Sequence, residues 1–165
     1  MNSIKIKIGL FLINNIFSGT RFFYIKYIIM KIIGINIGKN TSIVGPIYFN
    51  SAVSLEIGEN CWIGKNFTID GNGEVIIGKN VDIAPHVVIN TGGHLIGKKN
   101  RRAGSGICGN VEIEDGCWIC TRVTIINSVK ISKGCVVAAG ALVNKSLDYD
   151  LLVGGVPAVT IRRLD

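Results

Sequence analysis

From residue 107 an aliphatic side chain recurs at every sixth position, at Ile107, Ile113, Ile119, Ile125, Ile131, Val137 and Val143. The same beat runs earlier through Ile37 and Ile43, then Ile57, Ile63 and Ile69, then Ile77, Ile83 and Ile89, with short slips between the runs. Two positions before most of these residues stands a small or β-branched one, such as Thr41, Cys61, Val75, Val87, Cys117, Val129, Cys135 or Ala141. One position after, the chain is often Gly, Ala, Asn or acidic, as at Gly38, Gly58, Gly64, Gly78, Ala84, Asn90 and Glu114. A period of six belongs to neither a helix nor an ordinary strand. A strand with two inward residues followed by a corner buries its apolar face only by stacking on copies of itself. Three such hexads make one triangular turn, so the pattern predicts an all-β solenoid. Residues about eighteen apart should stack, Val111 on Val129 and Cys117 on Cys135.

The repeat divides the chain into three parts. Residues 1–33 lie outside it, apolar with interspersed cations (Lys5, Lys7, Arg21, Lys26, Lys31), and read as two helices broken near Ser18-Gly19. Residues 34–145 form the coil, with an extruded loop near 91–106 where the hexads break and the chain becomes polar and glycine-rich. Residues 146–165 form a short tail packing on the last coils.

The unit [aliphatic]-Gly-x-x-[small]-x resembles the left-handed parallel β-helix of the hexapeptide-repeat acyltransferase family over about residues 35–145. The tail, Val153-Gly-Gly-Val-Pro-Ala158 and Ile161-Arg-Arg-Leu164, is similar to the family's closing segment. The resemblance implies a homotrimer with active sites between subunits and acetyl-CoA as co-substrate. A fold does not fix a function, so the chemistry rests on particular residues.

Composition limits the possibilities. A chain of 165 residues, 48% hydrophobic, fits one domain and leaves no room for a second catalytic one. The net charge of +7 favours an anionic ligand or surface, which coenzyme A satisfies as well as nucleic acid does. No nucleic-acid motif or aromatic platform accompanies the basic residues. Of five cysteines, Cys61, Cys117 and Cys135 fall at inward small positions and Cys108 and Cys120 at corners. Cys117-x-x-Cys120 therefore reads as core packing and not as a metal site, and an odd count suits a reducing, cytoplasmic compartment. The longest uncharged N-terminal stretch, Ile8 to Thr20, falls short of the ~20 residues that span a bilayer. Residues 1–33 either pack on the β-helix or the trimer, or use their cations with Phe22, Phe23, Tyr24 and Tyr27 for peripheral contact with the inner face of a membrane.

Catalytic groups collect on loops held by rigid scaffolds. Within the extruded loop, Thr91-Gly-Gly-His94 resembles the Thr-x-x-His of maltose, galactoside and polysaccharide O-acetyltransferases, and the resemblance implies that His94 is the general base. Moving an acetyl group from a thioester to an alcohol requires a proton acceptor at the attacking hydroxyl. A histidine imidazole, titrating at about 6.5 when unperturbed, suits that task. His86, after Pro85, reads as structural or solvent-facing. Lys65-Asn66-Phe67-Thr68-Ile69-Asp70 resembles the family's acceptor-binding stretch, so Asn66 and Asp70 are candidates for sugar hydroxyls, or else ordinary corner residues. By position in the later coils Trp118, Thr121, Ala138, Ala139 and Gly140 are candidates for coenzyme A, with Lys145, Arg162 and Arg163 for its phosphates or as a solvated tail. Lys98, Lys99, Arg101 and Arg102 in the loop suit either coenzyme A or an acidic glycan.

Two departures stand out: Cys120 and Val159 replace the family's usual Gly and Lys. The Asp-His of serine acetyltransferases is absent, since Asp70-Gly71 occupies its place, and the two histidines are too few for a three-His zinc site. The expected function is acetyl-CoA-dependent O-acetylation of a sugar hydroxyl of a cell-surface polysaccharide or its precursor, without a metal. The alternatives are N-acetylation of an amino-sugar nucleotide, acetylation of a xenobiotic such as chloramphenicol or a streptogramin, and a non-catalytic scaffold.

Overall fold

The computed structural model describes residues 3–165 and is a three-sided parallel β-helix closed at its start by helices. The first face stacks Asn36–Ile37, Ser54–Ile57, Glu74–Ile77, Val111–Ile113 and Val129–Ile131. The second stacks Ser42–Ile43, Trp62–Ile63, Asp82–Ile83, Trp118–Ile119, Val136–Val137 and Leu151–Gly154. The third stacks Ile47–Tyr48, Phe67–Asp70, Val88–Asn90, Thr124–Ile126 and Leu142–Val143. Each strand is too short to form a sheet alone. Paired in parallel with the coil before and after, they bury continuous columns such as Ile43, Ile63, Ile83, Ile119, Val137 and Val153, none more than 1% exposed. Each such side chain contributes ~1.5–3 kcal/mol by leaving water.

The expected stacking of Val111 on Val129 is present, as is the eighteen-residue spacing from Ile119 to Val137. The early coils differ: Ile43 pairs with Ile63 and Ile63 with Ile83, twenty residues apart. The extra residues all enter at the corner joining the third face to the first, around 50–53 and 70–73. In the next coil that same corner grows into a long arm. The slips in the hexad beat therefore mark one ridge of the solenoid. Ile107, counted in the beat, is not an inward residue: it lies on the arm, pairs with Gly93 and is 41% exposed.

Two helices close the first coil. α1 (Ser3–Phe11) continues as a wider π-type turn over Leu12–Ile16, and α2 (Phe23–Ile32) follows the break. Their inner sides, Ile6, Ile13, Ile29, Met30 and Ile33, join the core. Gly9 permits the close crossing, because a Cβ there would lie 2.4 Å from Ile33 Cγ2. Asn14 completes the exposed strand edge: its Nδ2 donates to the Ile47 carbonyl at 2.8 Å and its Oδ1 accepts from Ile47 N–H at 2.9 Å. Lys26 is buried, donates from Nζ to the Gly19 carbonyl at 2.6 Å, and burial pulls its pKa down. The outer sides leave Ile4, Ile8, Phe11, Ile25 and Ile32 exposed. Among the described residues no helix is long and apolar enough to cross a membrane. At the other end Val159–Arg163 runs antiparallel to Leu151–Gly154, so the tail adds a strand to the second face.

Three cysteines occupy inward corners and satisfy the coil above. Cys61 Sγ donates to the Gly78 carbonyl at 3.0 Å, Cys117 Sγ to Ser132 at 3.1 Å and Cys135 Sγ to Asp148 at 2.9 Å. Thr41 Oγ1 makes the equivalent bond to Gly58 at 2.7 Å. Burial pushes the Cys117 thiol up to about 12, and the reactive thiolate is then scarce at neutral pH. Cys108, expected at a coil corner, is instead on the arm and exposed. Native protein treated with Ellman's reagent at pH 8 should label Cys108 quickly and Cys61, Cys117 and Cys135 only after denaturant is added. Rapid native labelling of Cys117, read by peptide mass spectrometry, would show that these coils are not packed as described.

Candidate active site

The segment expected as a loop is a two-stranded antiparallel hairpin, Gly92–Ile96 against Ala103–Cys108. Glycine lets the two strands approach, since a Cβ on Gly97 would lie 3.1 Å from the Cα of Gly104. Thr91 anchors the arm to the solenoid. This fully buried residue donates from Oγ1 to the Asp70 carbonyl at 2.9 Å and accepts from Gly73 N–H at 3.0 Å. Its own N–H reaches the same Asp70 carbonyl at 2.8 Å, and its carbonyl accepts from Gly109 N–H at 2.9 Å. One side chain and its backbone thus tie both strands of the arm to the preceding corner. Asn90 adds a turn bond, its Oδ1 accepting from Gly92 N–H at 2.9 Å. Gly71, at φ +95°, has no room for a Cβ, which would meet Thr91 Oγ1 at 2.4 Å.

Three residues along this anchored strand stands His94, paired with Gly106 and exposed. Its Nδ1 lies 2.9 Å from the Gly104 carbonyl oxygen. A carbonyl only accepts, so Nδ1 carries the proton in this bond, and in the neutral ring the lone pair is then on Nε2. The backbone has selected the tautomer that a base requires.

The other candidates are distributed around the solenoid. Asp70 sits beside the arm's root, with Asn90 as its strand partner, and is exposed. Asn66 is at the opposite end of the same strand, in a left-handed corner conformation, φ 59°, with Nδ2 3.4 Å from the His86 ring. Thus only Asp70 of the pair shares the His94 ridge. His86 has the corner conformation too, at φ 65°.

Thr121, Ala138, Ala139 and Gly140 gather at the corner joining the second face to the third, where Gly140 N–H donates to the Thr121 carbonyl at 2.9 Å. Nothing lies within 4 Å of where a Gly140 Cβ would be, so this corner is open to a ligand chain. Pro157-Ala158 crosses there, Ala158 N–H donating to the Leu142 carbonyl at 2.8 Å. Trp118 projects, half exposed, from the second face next to Val136. Lys145 lies on the ridge that bears the arm, two coils on. Arg162 extends from the last strand, and Arg163 stacks on Tyr149, 5.1 Å from its ring centroid. Within one chain the His94 arm and the Thr121–Gly140 corner are therefore on opposite edges of the third face. Among the described residues no group of His, Cys, Asp and Glu is arranged to hold a metal ion. Thr91 tethers the arm and Asn14 the strand edge, and the hexad spacing reports neither contact.

No family model matches the chain. It is 32% identical over 129 residues to the galactoside O-acetyltransferase of Escherichia coli, covering 78% of this chain and 64% of that protein. It thus spans just under two thirds of that relative's length. Over 134 residues it is 29% identical to the putative colanic acid biosynthesis acetyltransferase WcaF of E. coli, covering 81% of this chain and 72% of WcaF. The hexapeptide-repeat-containing acetyltransferase of Vibrio cholerae, solved in complex with acetyl coenzyme A, superposes with a TM-score of 0.84 at 28% identity, covering 99% of this chain and 87% of that one. By the period of its sequence, by its coil and by these relatives together, the chain is a parallel β-solenoid similar to the hexapeptide-repeat acetyltransferases.

Proposed function

We propose that the chain is an acetyl-CoA-dependent O-acetyltransferase acting on a sugar hydroxyl, with His94 as general base. The observation that carries this reading is the His94 imidazole, held by Gly104 in the tautomer that leaves Nε2 free. Nε2 accepts the hydroxyl proton as the alcohol oxygen attacks the thioester carbonyl. The tetrahedral intermediate then collapses, breaking the carbon–sulfur bond, and the imidazolium returns the proton to the departing thiolate. No covalent enzyme intermediate and no metal is required. A polysaccharide or its precursor is favoured as acceptor by the similarity to WcaF.

The test is thiol release from acetyl-CoA against free sugars, nucleotide sugars and glycan fragments. Release that depends on a sugar acceptor supports the reading; acetylation of amines alone would favour the N-acetyltransferase alternative, and the absence of release with every acceptor would favour the scaffold.

The separation of His94 from the Thr121–Gly140 corner supports a site built between chains. The third face between them presents Thr68, Val88, Thr124 and Leu142, all uncharged, which suits contact with another copy. Light scattering should therefore give three chains per particle. Mixing inactive His94→Ala with an inactive Gly140→Asp variant, under conditions that exchange subunits, should restore measurable activity. A monomer with full activity, or no restoration after proven exchange, would contradict a shared site.

A further inference from the structure

The tip of the arm concentrates positive charge. Lys98, Lys99, Arg101 and Arg102 occupy four of five consecutive positions, all exposed. No carboxylate side chain occurs from residue 83 to residue 111. Among the described residues the ion pairs are those of Lys79 and Lys130 with Glu59, Glu112 and Glu114, none involving the tip. The tip is nevertheless ordered by its own backbone: Gly97 N–H donates to the Arg102 carbonyl at 2.8 Å and Arg101 N–H to the Lys98 carbonyl at 3.0 Å. Like charges crowded on a fixed turn repel one another, and an anion relieves that repulsion.

The tip also communicates with the base. A cleft of about 400 Å³ lies along the arm, lined by Leu95, Ile96, Lys98, Arg101, Gly104 and Ser105. Gly104 is the residue whose carbonyl holds the His94 ring. Lys98 lies four residues beyond His94, just past the end of the strand Gly92–Ile96. One cleft therefore runs from the neighbour of the base to the cations, over a span that a short glycan bridges.

We propose that the arm tip recognises an anionic group of the acceptor, so that the acetylated hydroxyl belongs to a glycan bearing a carboxylate or a phosphate. This rests on the sugar O-acetyltransferase reading and narrows its substrate class. Exposed Leu95 and Ile96, at 56% and 89%, supply apolar edges on which a sugar ring can lie between base and anion. Two sources share the chemistry: an acidic sugar within the glycan, or the pyrophosphate of a nucleotide- or lipid-linked sugar. Attraction of this kind is screened over ~8 Å at physiological salt, so it should fall as salt rises.

The test uses the full chain and a Lys98→Gln/Lys99→Gln/Arg101→Gln variant, which keeps polar side chains and removes the charge. Calorimetric binding would be measured for tetragalacturonate, for UDP-N-acetylglucosamine and for neutral maltotetraose, and the KM for acetyl-CoA would be measured alongside. The expected result is binding of at least one anionic probe, weakened about tenfold in the variant. Raising salt from about 0.05 to about 0.5 M should weaken it similarly, with maltotetraose and the KM for acetyl-CoA unaffected. Preference for tetragalacturonate identifies an acidic sugar, and preference for the nucleotide sugar a pyrophosphate. Failure of the wild type to bind either anion, equal losses for maltotetraose, or a rise confined to the KM for acetyl-CoA would each overturn the proposal. Binding needs no turnover, so a chain that binds the anion but transfers no acetyl group would refute the transferase reading and not the anion site.

Discussion

Replacing His94 by Ala should lower kcat for acceptor-dependent thiol release by ~10²–10⁴-fold, the range typical of a lost general base. The substitution leaves the fold intact. His94 is on the exposed side of the hairpin, and its bond to the solenoid passes through Thr91 and not through its own ring. The unfolding free energy should accordingly change by no more than about 0.5 kcal/mol, as for ordinary surface substitutions. The KM for acetyl-CoA should change little, because the imidazole acts on the acceptor's proton and not on the nucleotide. Stopped assays avoid the background from exposed Cys108, which itself reacts with thiol reagents. A kcat within twofold of wild type would remove His94 from the mechanism.

Thr91→Val should damage stability and rate together. Valine has the shape of threonine but no hydroxyl, so Gly73 N–H loses its acceptor in a site from which water is excluded. Leaving such a group unsatisfied costs ~1–3 kcal/mol, and each kcal/mol lowers Tm by about 2–4 °C in a domain of this size. The arm pivots at this residue, and a displacement of ~1 Å at a catalytic group costs up to ~10²-fold in rate. Thr91→Ser retains the oxygen and should keep most of both properties. Equal melting and equal kcat in the Val variant would mean that the arm is positioned by something other than this buried hydroxyl.

The solenoid was legible because two inward residues per hexad are a physical requirement of every coil, and Ile, Val and Cys meet it visibly from Ile37 to Val143. The spacing per coil was less legible. The slips at 50–53 and 70–73 are extra residues on one ridge, and they prefigure the arm. Ile107 kept the beat by chance of spacing while lying on the hairpin. The hairpin itself was hidden by its glycines, which weaken any strand signal and are used here to bring two backbones together. His94 was visible through its motif, whereas its tautomer depends on Gly104, ten residues away across a hairpin, and no local pattern reports that. Asn66 and Asp70 looked equivalent on one short strand. Only the coil shows that one end of it meets the arm and the other meets His86.

Transfer of acetyl to a sugar oxygen by His94 is tested most directly on the product. Acetyl-CoA carrying an isotopic label would be incubated with wild-type chain and a pool of neutral, acidic and nucleotide-linked glycans, and the products read by mass spectrometry before and after mild alkali. The expected product is a labelled glycan whose acetyl group is an alkali-labile ester, formed by the wild type and lost with His94→Ala. An alkali-stable amide, or the same ester formed equally by the variant, would contradict the account.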